Sequence, residues 1–455
     1  MSRVPDANLS TPSALQALAQ VSVEVRSAVA LHDRAAAHVL DWLACAAHGV
    51  GSAQGLAFAR WLDGQSIGAV PTLAGRMCDA AAAAAYHGAL GSTLEMDDVH
   101  RSAVLHPGPV VIPAVLAACT ASTTGAQFLS AVISGYEAMI RIGQALGPSH
   151  YVMWHTTATA GCFGAAAGAA AVLQLDVTHT AQALALAGTR AGGLWQVRHE
   201  SNLGKAWHMA GAARDGLAAA QLAQAGLTGP LGVLDGPSGW FAATAREADV
   251  GCISAPRATP WIDDVSFKPW PACRHAHPAI DALQQAASGH HLVPAAVAHI
   301  EVHSYADALR FCDHPEPRDD TQARFSIQHA LAACVAWGEP QLAHYGMKAV
   351  ADPVVAAVRQ RISLHSSAVL QAAYPAHYGA RVLIHWQDGT RSDASLADTR
   401  GDPARPMSLQ ARRSKAHMLM HAAGWAPGRI DHALAACTAL PQASNLASLH
   451  KVFKP

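Results

Sequence analysis

Apolar residues recur three and four positions apart through most of the first 265 residues, the spacing that lines one face of a helix. The segment LHDRAAAHVLDWLACAAHG (31–49) shows this first; Asp33 can cap its start and Gly49 can stop it. Asp79 can cap the alanine run 80–90. Helices also suit 111–123, 126–145, 157–174, 178–193 and 207–225. GCFGAAAGAAA (161–171) offers small residues that let helices approach closely. Near Pro256 the period changes. VAHIEVHSY (297–305) alternates, with Ile300 and Val302 facing one way and Glu301 and His303 the other. ARVLIHWQDGT (380–390) does the same and ends in Asp388-Gly389, a hairpin signal. Helices intervene at 275–288, 321–337 and 353–362, and return at 407–423 and 428–438. This order predicts a mainly α chain. A large all-helical domain is formed by both termini, residues 1–265 plus 401–455, with an inserted α+β lid domain at 266–400.

Composition narrows the function. The 455 residues carry 31 Lys and Arg against 32 Asp and Glu, so no basic excess exists to hold nucleic acid. Charged residues are 14%, against about 25% in an average soluble chain. With 51% hydrophobic residues, this implies tightly packed helices with much buried surface, as in an oligomer, and excludes disorder over most of the length. Nine cysteines without a CxxC pair suit a reducing compartment. Residues 1–16 show no basic segment followed by an apolar one, so no signal peptide is read there and a cytoplasmic protein is expected. Residues 102–136 and 142–175 lack Asp, Glu, Lys and Arg, and each exceeds a membrane span in length. Both contain Pro, His and Gly among mostly Ala, which reads as buried helices and no membrane partner.

Four segments hold residues able to do chemistry. LEMDDVHRSAVLHPGPVVIPA (94–114) sets Asp97 and Asp98 beside His100 and His106, raw material for general acid/base work. The same acids also suit helix caps, and His106 also suits a carbonyl partner. HYVMWHTTATAGCFGAAAG (150–168) puts His155, Thr156 and Thr157 at a helix start, where unpaired N–H groups favour an anion such as a carboxylate. An ordinary threonine cap fits equally. RHESNLGKAWHMAGAARDG (198–216) spaces Lys205 and His208 three apart on one helix face, with Arg214 further on; carboxylate binding and a solvated face are both open. FKPWPACRHAHPAIDA (267–282) gathers Lys268, Arg274, His275 and His277 in a proline-constrained loop. Its C-x-H-x-H spacing matches no standard zinc pattern. Neither a phosphate loop nor a GxSxG elbow is present.

Together these blocks resemble the MmgE/PrpD family, which includes 2-methylcitrate dehydratase, cis-aconitate decarboxylase and iminodisuccinate epimerase. The matching stretches are MDDVH…HPGPVVIPA, WHTTATAGCFGAA, GKAWHMAGAAR, VLDGPSGWFA, FKPWPACRHAHPAIDA and RFSIQHALAACVAWGE, in family order. The resemblance implies a homodimer, no metal or organic cofactor, and an active site in a cleft between the domains. It implies proton removal next to a carboxylate of a small di- or tricarboxylate. By position it matches His106, His155, Lys205, Lys268 and His277 to the residues that line the family pocket; with Asp98, these are the expected catalytic residues, and Thr156, His208, Arg214 and Arg274, from the residue reading, are expected to bind substrate. A dehydratase is the leading expectation, with an epimerase, a decarboxylase and a non-catalytic ligand-binding homologue as alternatives. HPGPV here departs from the HPSDN of methylcitrate dehydratases. Val99 and His329 depart from a hydroxyl residue and a tyrosine in decarboxylase-like members.

Overall fold

The computed structural model describes residues 13–200 and 202–453, so most of the segment read for a signal peptide lies outside the described residues. The chain is mainly α with a small sheet-bearing region. It divides into two compact units. One runs to Thr93, then Ala103–Asp263 and from Ala416 onward; the other comprises Leu94–Ser102 and Asp264–Lys415. The pattern-based boundary at 265/266 lies two residues from this division, and two other places differ by more. Residues 94–102 cluster with the second unit, and the return to the first comes at 416 instead of 401.

The first unit is built around the helix Thr156–Val172, which is buried on all sides as far as Ala170. Its sequence is apolar or small all round, so it has no face to give to water. Helices Gly108–Ala118, Gly125–Met153, Val177–Gly188 and Gly204–Gln224 pack against it. Glycine sets how closely they approach. A Cβ on Gly164 would lie 2.6 Å from that of Met139, and one on Gly216 would lie 2.5 Å from the Cys162 carbonyl oxygen. Asp79 caps Ala80–Leu90 as its position predicts, its Oδ1 accepting from the Ala82 N–H at 2.8 Å. Asp33 is not a cap. The helix His32–Gly49 starts one residue before it, and Asp33 sits in the first turn, where a carboxylate favours the helix dipole.

This unit is also not wholly helical. Strands β1 (Val70–Pro71) and β2 (Met77–Cys78) form a small antiparallel hairpin, with Val70 opposite Cys78. Two-residue strands are too short to show an alternation, so no periodic signal marks them. Among the described residues no helix is long and apolar enough to cross a membrane.

The second unit carries β3 (Val297–Ser304), β4 (Ile362–Ser366), β5 (Ala380–Trp386) and β6 (Arg391–Leu396), in the order β4-β3-β5-β6. β3 runs parallel to β4 and antiparallel to β5, while β5 and β6 join through the Asp388-Gly389 turn. Ile300, Val302, Val382 and Ile384 face the core with helices His277–Ala286 and Ile327–Trp337, leaving Glu301 and His303 outward. β4 lies where the pattern suggested the end of a helix. The helix Pro353–Arg359 stops early, and ISLHS is too short to announce its own alternation.

Candidate active site

In the first unit the chemistry gathers at the N-terminal end of Thr156–Val172. His155 is the residue before that helix and is only 1% exposed. Its backbone N–H donates to the Gly193 carbonyl at 2.8 Å. Its ring packs on Trp195, with centroids 4.3 Å apart. Its Nδ1 lies 3.1 Å from Nδ1 of His208, on the helix Gly204–Gln224. Thr157 Oγ1 accepts from the His106 backbone N–H at 3.2 Å, which ties His106 to the same helix start. Val104, two residues before His106, holds φ at 48°, a strained conformation for a β-branched side chain.

The electrostatics of this end favour an anion. Lys205 is the second residue of its helix, at the positive end of the helix dipole, where a cation is disfavoured. Thr156 begins a second helix whose preceding residue makes no side-chain cap bond. Burial first, and then the charge of Lys205, lower the pKa of His208 below the ordinary imidazole value. Both effects favour the neutral form of His208. His150, five residues before His155 and near the end of the preceding helix, is pushed down to about 4 by burial. It spans Thr159 and Thr244 through its two nitrogens, at 2.9 Å each, and so serves as a neutral strut.

Arg214 is not part of this cluster. Nine residues after Lys205, at about 100° per residue, it faces half a turn away. Its Nε pairs with Asp215 at 2.7 Å and its guanidinium lies over Trp207.

Gly193 positions the cluster and invites a test. Its φ is +132°, and an added Cβ would lie 2.8 Å from that of Ala158 and 3.4 Å from the His208 ring. Gly193→Ala is expected to cost on the order of 1–3 kcal/mol from backbone strain. Turnover should fall more than thermal stability does, because the displaced segment carries both the His155 acceptor and Trp195. Unchanged kinetics beside a lowered melting temperature would refute that coupling.

In the second unit the acidic segment is tied by backbone bonds to the segment bearing Lys268. Val99 and Ser266 exchange N–H···O bonds of 3.0 and 2.8 Å. Lys268 is fully buried, with its Nζ 3.4 Å from Glu95 and 3.8 Å from Asp97. Asp98 and His100 are buried nearby in the chain, and His100 Nε2 lies 3.8 Å from Asp264. Val99, 3% exposed, is engaged through its backbone.

Arg274 and His277 form a structural clamp. Arg274 pairs with Asp402 through Nη2, and through Nη1 donates to His277 Nδ1 at 3.1 Å and the Arg400 carbonyl at 3.3 Å. His277 Nε2 donates to the Ala272 carbonyl at 3.0 Å. Both nitrogens of that ring are therefore occupied. Burial, and then Arg274 and Lys268, hold its pKa well below the ordinary value. His275 is bonded to the Tyr305 hydroxyl at 2.7 Å, which, with His277 engaged, leaves the C-x-H-x-H run without converging imidazoles. His329 is held in the same manner by Arg359 and the His344 carbonyl. Glu95, Asp402 and Trp195 were not singled out by sequence. Glu95 lies inside the 94–114 block but outside its paired acids, Asp402 stands in a stretch with no motif spacing, and Trp195 lies in a short turn.

Fold and cluster together describe a mainly α protein with an imidazole pair at a helix start, close to the Lys205 charge. Comparison with known families agrees. The MmgE/PrpD N-terminal domain matches residues 16–252 and the MmgE/PrpD C-terminal domain matches 270–437. The chain belongs to the MmgE/PrpD family. It is 27% identical over 357 residues to cis-aconitate decarboxylase-like protein oryM of Aspergillus oryzae, covering 71% of this chain and 72% of that one. It is 26% identical to the cis-aconitate decarboxylase of Mus musculus, covering 73% and 70%. A 171-residue stretch, 35% of this chain and 34% of the relative, is 34% identical to the Aspergillus terreus cis-aconitate decarboxylase.

Proposed function

We propose that this chain is a lyase that uses its own side chains to move a proton next to a carboxylate of a small di- or tricarboxylate. The observation that carries the reading is the 3.1 Å contact between Nδ1 of His155 and Nδ1 of His208. A hydrogen bond there needs a proton on one nitrogen and a lone pair on the other. When both rings are neutral they must therefore be opposite tautomers. One ring carries its lone pair on Nε2, and the other carries N–H there. The pair is a general base and a general acid joined by one shared hydrogen bond. A proton taken up at the first Nε2 can be passed across the Nδ1 contact as the second ring releases its own. Lys205 and the helix start at Thr156 supply the positive field that a carboxylate, and the enolate-like charge beside it, would need.

Dehydration is the leading reaction in this reading. Decarboxylation of a cis-aconitate-like substrate is the second, favoured by the names of the relatives matched over 71% and 73% of the chain. Proton NMR in D₂O with citrate-like hydroxy acids, cis-aconitate and iminodisuccinate separates them. New vinyl signals report dehydration, loss of a carboxyl carbon reports decarboxylation, and deuterium entering without net loss reports epimerisation. No exchange on any of them would overturn the proposal.

The pH dependence has a definite sign. Turnover needs the neutral pair, so it declines as pH falls through the pair's pKa. The Lys205 charge lowers the pKa of His208. Lys205→Met removes that effect, so the acid limb of the kcat profile should move to higher pH. An unmoved or downward-shifted limb would show that Lys205 does not act on the pair.

A further inference from the structure

Trp195 packs against the ring of His155, with the two planes tilted by 36°, and it has no place in the chemistry described so far. Its side chain is 9% exposed, and its Nε1–H, the indole's sole polar atom, has no hydrogen-bond partner among the described residues. A buried donor without an acceptor is costly, on the order of 1–3 kcal/mol. The groups packed on the indole include the His155 ring, the edge of Tyr151 at 5.6 Å and the Arg198 guanidinium, 5.4 Å from the ring centre. A cation cannot accept from the indole.

The backbone holds Trp195 in this place. Trp154 and Leu194 pair as an isolated bridge, and the Gly193 carbonyl accepts from the His155 N–H. The segment 193–195 therefore grips His155 on two sides, by its backbone and by its ring. The indole is held against the imidazole, and its N–H has no hydrogen-bond partner among the described residues. The surrounding helix start and Lys205 favour an anionic acceptor.

We infer that Trp195 is a substrate-binding residue: its indole N–H donates to a carboxylate oxygen of the bound ligand while its face holds the His155 ring. The inference rests on the carboxylate reading above and adds a specificity determinant to it. A ligand offering only apolar surface at this point would leave the donor unpaired and bind more weakly.

Trp195→Phe keeps an aromatic face for His155 and removes only the donor and part of the ring. Calorimetric titration of wild type and W195F with citrate, cis-aconitate and iminodisuccinate measures the effect on affinity. In parallel, ¹⁵N-indole NMR of the wild type follows the cross-peak that is missing from the W195F spectrum. The expected result is a shift of that cross-peak on titration, with binding to W195F about tenfold or more weaker, the size of one charge-assisted hydrogen bond. Binding that moves other cross-peaks but leaves the Trp195 signal in place overturns the inference and spares the carboxylate reading. So does a W195F affinity within about twofold of wild type. Failure of every ligand to bind wild type overturns the carboxylate reading and the inference with it. Should W195F not fold, the wild-type titration decides alone, its cross-peak then assigned from Trp195→Tyr.

Discussion

Replacing His155 by glutamine should lower turnover by roughly 10²- to 10⁴-fold with the fold retained, the usual loss when a general acid or base is removed. His208→Gln should do the same. The two rings share one hydrogen bond, so their protonation states are linked, and removing either leaves the other without its tautomer partner. The double variant should then be no slower than the worse single one. Residues that act as a unit are not additive. Steady-state kinetics on the substrate identified by NMR test this directly. Wild-type turnover in either single variant would sink the pair, and losses that multiply in the double variant would show two independent roles. His106→Ala is expected to lose activity by a smaller factor. Its backbone, not its ring, supplies the observed bond to Thr157 at the helix start.

The largest effect on stability should come from Lys268→Met. The ammonium is 0% exposed between Glu95 and Asp97, whose side chains are 9% and 1% exposed. Methionine nearly matches the volume but removes the Lys268 charge from beside two buried carboxylates. Breaking a buried charge arrangement by removing one partner costs about 3–5 kcal/mol. A lowered melting temperature is expected, and Glu95→Gln in the Lys268→Met background should restore part of it by removing one of the two buried negative charges. A Lys268→Met protein that melts like the wild type would show that the ammonium does not balance those acids. Any catalytic role of Lys268 is separable, because the Glu95→Gln repair should raise stability without returning activity.

Much of this was readable from the order of residues alone. Helix and strand periods are local properties, so the helices at 80–90, 157–174 and 207–225 and the strands at 297–305 and 380–390 stand close to their observed limits. The blocks around His106, His155, Lys205 and Lys268 are each contiguous, so the family could be named from them and the matched domains agree. The facing of Lys205 and His208 also follows from a three-residue spacing on one helix.

Tertiary structure decided the rest, because side-chain roles depend on partners far away in the chain. His155 and His208 are 53 residues apart, and only packing makes them a tautomeric pair. His277 looks as reactive as His155 in sequence. Burial with Arg274 on one nitrogen and the Ala272 carbonyl on the other turns it into a neutral post. Arg274 reads as a carboxylate binder, yet it spends its charge on Asp402, 128 residues on. The grouping of Glu95 and Asp97 with Lys268 spans more than 170 residues. A period of 3.6 or 2 places a residue on a face; the charges and hydrogen bonds waiting across that face are set by chain segments no local pattern can see.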